Sequence, residues 1–224
     1  MYLVKNEDLS EKAYEAVKSM ILQGKLKPGE KLYQEKMAET LGISRTPLNG
    51  ALNKLEKEML VEALPRRGFY VKKLSLKELK DLYDIRLRLE PLGARSAAES
   101  QHPILNEKCK ELLETFSQID DQNIPSEFKE LDHKFHNLIM DMSSNIFLSK
   151  MISSYNIISL GNLQLFMDKE YFPKKTTDSL EEHKRILTAI INGEPQNAEK
   201  EMFSHIEGTR NLLAEQLEKQ DGKA

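Results

Sequence analysis

Four residues, Leu41-Gly42-Ile43-Ser44, limit what this chain can fold into more than any other stretch. They join two segments of helical period. Upstream, from about Gln34 to Leu41, Met37, Ala38 and Leu41 share one face; downstream, from Arg45 to Leu60, Leu48, Ala51, Leu52 and Leu55 do the same. Gly42 suits the left-handed conformation that ends a helix, and Ser44 is placed to cap the next one. Two helices joined this tightly form a helix-turn-helix, whose second helix can enter a DNA major groove N-terminus first.

The flanks complete the module. Ser10 is expected to cap a helix bearing Ala13, Val17, Met20 and Ile21 and ending at Gly24, and Leu26-Lys27-Pro28-Gly29 reads as a turn. Val61-Glu62-Ala63-Leu64 and Phe69-Tyr70-Val71 read as short strands around Pro65-Arg66-Arg67-Gly68, a hairpin with two arginines at its tip. Ser44, Arg45 and Thr46 open the second helix, where unpaired backbone N–H groups favour phosphate and Arg45 can grip a guanine edge. Arg66 and Arg67 form a wing suited to the minor groove or its phosphates. Charge follows the same division: residues 1–74 hold 14 Lys and Arg against 10 Asp and Glu, and residues 75–224 hold 19 against 26.

From Ser75 the pattern becomes helical throughout. Ser75 and Glu78 have capping-box spacing, and helices are expected at about 76–100, 104–121, 126–143, 146–167, 177–192 and 195–218. Pro91 predicts a kink or split in the first, and Met167 to Thr177 reads as the longest irregular stretch. The expected fold is mainly α: a winged helix-turn-helix over 1–74 and an all-helical bundle over 75–224, with the hinge near Lys72 to Ser75. No run approaches the ~20 apolar residues of a membrane span. The charged start of the chain and its single cysteine, Cys109, point to a cytoplasmic protein.

All five histidines lie beyond residue 100. Asp132 and His136 are four apart, which stacks them on one helix face, while His183 and His205 lie on two later helices. Three imidazoles and a carboxylate converging in a bundle would hold a divalent ion with room for water or another ligand. Spacing alone equally allows solvated polar pairs and packed or capping histidines. His102 beside Pro103, and His133, turned about 100° from Asp132 around the helix, are not favoured as ligands.

The front of the chain closely resembles the GntR family of bacterial regulators. The resemblance rests on Gly24-Lys25-Leu26-Lys27-Pro28-Gly29, Leu41-Gly42-Ile43-Ser44-Arg45-Thr46-Pro47-Leu48, Leu55-Glu56-Lys57-Glu58-Met59-Leu60-Val61 and Arg67-Gly68-Phe69-Tyr70-Val71. One departure stands out: where the family usually carries a DNA-contacting arginine after Ser-Arg-Thr-Pro, this chain has Asn49, followed by Gly50. Asn49 can read adenine through its amide but brings no charge, and Gly50 costs a helix on the order of 1 kcal/mol against Ala. An altered operator is therefore expected.

The back resembles the helical ligand-binding domain, called FCD, of the FadR subgroup, through Tyr83-Asp84-Ile85-Arg86-Leu87-Arg88-Leu89-Glu90, Asp132-x-x-Phe135-His136, Glu182-His183-x-x-Ile186 and Met202-x-x-His205. That resemblance implies that Asp132, His136, His183 and His205 bind the metal: zinc first, with nickel and manganese as alternatives. It also implies that Arg86 faces a pocket for a small carboxylate effector, unless it pairs with Glu90 four residues on. The implied protein is a homodimeric repressor of bacterial cytoplasm and nucleoid that binds a palindromic double-stranded operator. A metalloenzyme is disfavoured because no His-Glu-x-x-His motif and no general base beside the centre can be named.

Overall fold

The computed structural model describes residues 5–120, 128–163, 165–166 and 171–221. The chain divides into two compact units, Met1–Leu74 with Leu160–Asn162, and Ser75–Ser159 with Leu163–Ala224. The first unit holds α1 (Lys5–Leu22), β1 (Lys31–Leu32), α2 (Gln34–Leu41), α3 (Arg45–Lys57), β2 (Val61–Leu64) and β3 (Gly68–Val71). Ala13, Val17 and Ile21 of α1 and Leu48, Ala51, Leu52 and Leu55 of α3 are all buried in its core. Each fully buried leucine contributes roughly 1.5–3 kcal/mol. Leu32, Leu60, Val61 and Val71 close the core from the sheet side.

Three details differ from the sequence reading. Ser10 lies inside α1 and does not cap it, because the helix begins at Lys5. A third strand, β1, pairs with β3 antiparallel, giving the order β1-β3-β2; at two residues it is too short for alternation to reveal it. Third, α3 ends at Lys57, and Leu60 is buried just ahead of β2. The β2–β3 hairpin is as expected, with Arg67 N–H donating to Leu64 O at 3.0 Å and Arg66 held at φ 62°.

The second unit holds α4 (Leu76–Ser100), α5 (Pro103–Ser117), α6 (Phe128–Met142), α7 (Ile146–Leu163), α8 (Tyr171–Ile191) and α9 (Pro195–Asp221). Among the described residues it contains no strand. The Ser75 hydroxyl accepts from Glu78 N–H at 3.2 Å, and the Glu78 carboxylate accepts from Ser75 N–H at 2.8 Å, so the capping box is complete. Helix α4 is assigned as one helix through the buried Pro91 and is not split. It packs along α9 and also touches α6 and α8. Gly93 permits the contact with α6: a methyl group there would overlap the Met140 side chain. Helix α8 starts at Tyr171, so Tyr171-Phe172-Pro173 forms its first turn, where proline's missing N–H costs nothing. The rest of the predicted irregular stretch, 167–170, lies outside the described residues. Helix α5 stops at Ser117, four residues short of expectation, and α7 stops at Leu163.

Candidate functional site

The turn between α2 and α3 is built by Gly42 at φ 64°, whose neighbour Ile43 donates to Ala38 O at 3.0 Å. Ser44 occupies the N-cap of α3 in an extended conformation and makes no side-chain cap bond, so its hydroxyl is not spent within the helix. Ser44, Arg45 and Thr46 are all exposed at the helix N-terminus. Arg45 meets the Glu35 carboxylate at 3.1 Å in a solvent-facing pair worth at most about 1 kcal/mol. Such a pair yields readily to a stronger partner. Asn49, half-buried one turn on, accepts a 2.5 Å hydrogen bond on Oδ1 from Gln34 Nε2. At the hairpin tip Arg66 and Arg67 are exposed, and neither makes an ion pair among the described residues.

Two other residues of α3 find intramolecular explanations. Lys54 donates to Glu11 at 2.8 Å and sits 3.7 Å from the centre of the Tyr14 ring. A Cβ at Gly50 would lie 2.6 Å from the Ser10 hydroxyl, so glycine there lets α1 approach α3.

The helical unit gathers a second site. Helix α6 carries Asp132 and His136, α8 carries His183 and α9 carries His205. The ligand atoms of His136, His183 and His205 lie within 4.8 Å of one another, and all three residues are buried. The Asp132 carboxylate reaches two of them, His183 Nε2 at 3.4 Å and His136 Nε2 at 3.8 Å. Ligands about 2.0–2.1 Å from a tetrahedral ion stand about 3.3 Å apart, which the Asp132–His183 contact matches, while the wider separations would have to close around an ion. Three imidazoles and one carboxylate form a donor set suited to a borderline divalent metal.

Orientation comes from carboxylates behind the rings. Glu90 on α4 stands 2.5 Å from His136 Nδ1, and Glu182 on α8 stands 2.7 Å from His205 Nδ1. Glu182 holds His205 by Nδ1, which leaves Nε2 for a metal, and Glu90 stands against the same atom of His136. Rings of Phe116, Phe128 and Phe135 surround His183, with Phe135 stacked at 4.0 Å. Sequence reasoning missed Glu182 and the phenylalanine cage, and it saw Glu90 only as a partner for Arg86.

Arg86 is buried and makes the pair with Glu90 that the sequence allowed. Its Nε donates to Glu90 at 2.5 Å, while Nη2 lies 3.4 Å from His136 Nε2. Nη1 meets the Ser159 hydroxyl of α7 at 3.0 Å, and the guanidinium lies over the Tyr83 ring. Burial alone would raise the Glu90 carboxyl, but Arg86 and then His136 outweigh it and hold Glu90 well below the usual carboxylate range. One turn before Ser159, Asn156 is wholly buried, with no hydrogen-bond partner for either amide atom among the described residues. His133 instead bonds Asn137, and His102 is exposed ahead of α5.

Residues 9–71 match the bacterial regulatory proteins of the gntR family, and residues 81–208 match the FCD domain. The chain belongs to the GntR family. This GntR protein of FCD type is 30% identical over 197 residues to the uncharacterized HTH-type transcriptional regulator YdhC of Bacillus subtilis, covering 86% of this chain and 85% of that one. It is 28% identical over 213 residues to the HTH-type transcriptional regulator LutR of the same organism, covering 87% and 96%. Among solved structures, E. coli McbR/YncC superposes with a TM-score of 0.78 at 23% identity, over 93% of this chain and 98% of that one. The GntR chain is thus a DNA-binding transcriptional regulator and not an enzyme, with the mainly α fold expected of it. No described helix is long and apolar enough to cross a membrane.

Proposed function

We propose that this GntR protein is a homodimeric cytoplasmic repressor whose grip on a palindromic operator is set by a small organic acid bound beside a divalent metal. The observation that carries the proposal is the convergence of Asp132, His136, His183 and His205 next to the buried Arg86. These four side chains would hold the ion, with zinc ahead of nickel and manganese. Bound there, the cation supplies a positive centre with coordination positions open to a carboxylate. Glu90 and Glu182 orient His136 and His205, and Phe135 fixes the His183 ring. Arg86 offers a guanidinium already immobilised by Glu90 and Ser159, suited to an oxygen of the same carboxylate. In the first unit, Ser44, Arg45, Thr46 and Asn49 would face the major groove while Arg66 and Arg67 reach the minor groove or its phosphates.

A thermal-shift screen of organic acids on metal-loaded protein tests the reading. A cognate acid raises Tm by an amount that grows with the logarithm of its concentration over Kd. His136→Ala should abolish that rise, and a rise that persists in the variant would remove the metal as the acid's anchor. Footprinting with and without the same acid should show an upstream palindrome whose protection changes.

A further inference from the structure

We propose that Gln34 and Asn49 read the operator as one unit, with Gln34 holding Asn49 so that it presents hydrogen-bond donors to the major groove and selects guanine. The inference rests on the reading of α3 as the helix that enters the groove. Asn49 follows Arg45 by four residues and shares its face of α3. A free asparagine recognises adenine with both ends of its amide, donating to N7 and accepting from N6. Here Asn49 Oδ1 already takes a hydrogen bond from Gln34 Nε2, which leaves it one lone pair and fixes the orientation of the amide. The Asn49 NH2 group and the second N–H of Gln34 make no hydrogen bond among the described residues, so both are available as donors. Guanine is the base whose major-groove edge shows two acceptors, N7 and O6. Adenine would set its N6 donor against these donors.

The arrangement repeats one residue along. Gln34 and Glu35 open α2, and each engages a residue of α3, Asn49 and Arg45 respectively. The first turn of α2 thus sets how the second helix shows its side chains. The two engagements differ in strength of hold: both ends of the Arg45–Glu35 pair are largely exposed, whereas Gln34 and Asn49 are half-buried. Gln34 is a positioning residue, acting on base choice through Asn49.

Selection from a randomised double-stranded DNA library with the full-length protein tests this, followed by titration of the selected duplexes. The wild type should prefer guanine at one position of each half-site by about tenfold. Asn49→Ala should lose that preference. Gln34→Ala frees the Asn49 carbonyl, so the same position should move from guanine to adenine. Gln34→Glu keeps the side-chain size but cannot donate, so it should draw the Asn49 NH2 inward. The exposed carbonyl should then favour adenine or cytosine.

An unchanged guanine preference in Gln34→Ala, with the preference lost in Asn49→Ala, overturns the coupling but leaves α3 as the reader. Uniform weakening on every sequence in both Gln34 variants also overturns it, since that is what a merely structural residue would give. If Asn49→Ala changes no base preference, the groove-reading assignment of Asn49 itself fails. Circular dichroism melts confirm that each variant is folded before it is scored.

Discussion

Glu90 joins two functions in one carboxylate, since one oxygen meets Arg86 and the other meets His136. Glu90→Gln keeps the shape but leaves the buried guanidinium without its counter-charge. Breaking a buried pair in this way costs about 3–5 kcal/mol. The variant should melt well below the wild type and, by loosening His136, weaken metal binding by about 10–100-fold in a chelator competition. Asp84 gives a milder test with a defined pH sign. Burial would raise its carboxyl, but Lys80 at 2.6 Å and Arg210 at 2.8 Å outweigh that and lower it. A depressed carboxylate contributes stability above its unfolded pKa and loses it as pH falls through the folded value. Asp84→Asn should therefore cost under about 1 kcal/mol in urea at pH 7, because the pair is partly exposed, and nothing once both states are protonated. At this scale the sequence was informative where spacing is local. Asp132 and His136 are visible as an i, i+4 pair, but His183 and His205 join them only through resemblance. Glu182 behind His205, the phenylalanines around His183 and Gln34 against Asn49 are tertiary pairings that no local period encodes.

Elements show the same division. Helix α2 and the capping box of α4 could be read residue by residue because turn glycine, cap serine and apolar period all agree there. Strand β1 could not, since two residues carry no alternation, and the start of α8 was obscured by a proline that a first turn tolerates. Gly93 would be read from sequence as a flaw in α4, yet it is where α4 and α6 come close enough for Glu90 to reach His136. Gly93→Val should force Met140 aside and destabilise the unit by about 1–3 kcal/mol. The same substitution should lower metal affinity although it touches no ligand. A Gly93→Val protein that loses stability but binds metal normally would separate the helix contact from the site.

For the whole molecule, the proposed control by an acid has a thermodynamic signature that needs no knowledge of how the units move. If the acid changes operator affinity by some factor, the operator must change acid affinity by the same factor. Calorimetric titration of the acid into free protein and into the protein–operator complex should give equal ratios to those from operator titrations with and without acid. A factor of one in both directions would mean that the acid does not control operator binding. Fold class and the two-part organisation were legible at this scale, because a charge asymmetry and a change from mixed to purely helical pattern coincide at Ser75.

The setting of the three imidazoles has a consequence for which ions are admitted at all. Glu90, Asp132 and Glu182 bring three carboxylates to the histidines, and Arg86 brings one guanidinium. Ionised together they leave two negative charges around the rings, with Glu182 on the partly exposed side. A divalent cation cancels that excess, whereas a monovalent ion of equal radius leaves one charge uncompensated, at a cost of several kcal/mol in a protein interior. For the proposed ion, charge favours a divalent over a monovalent cation before size enters.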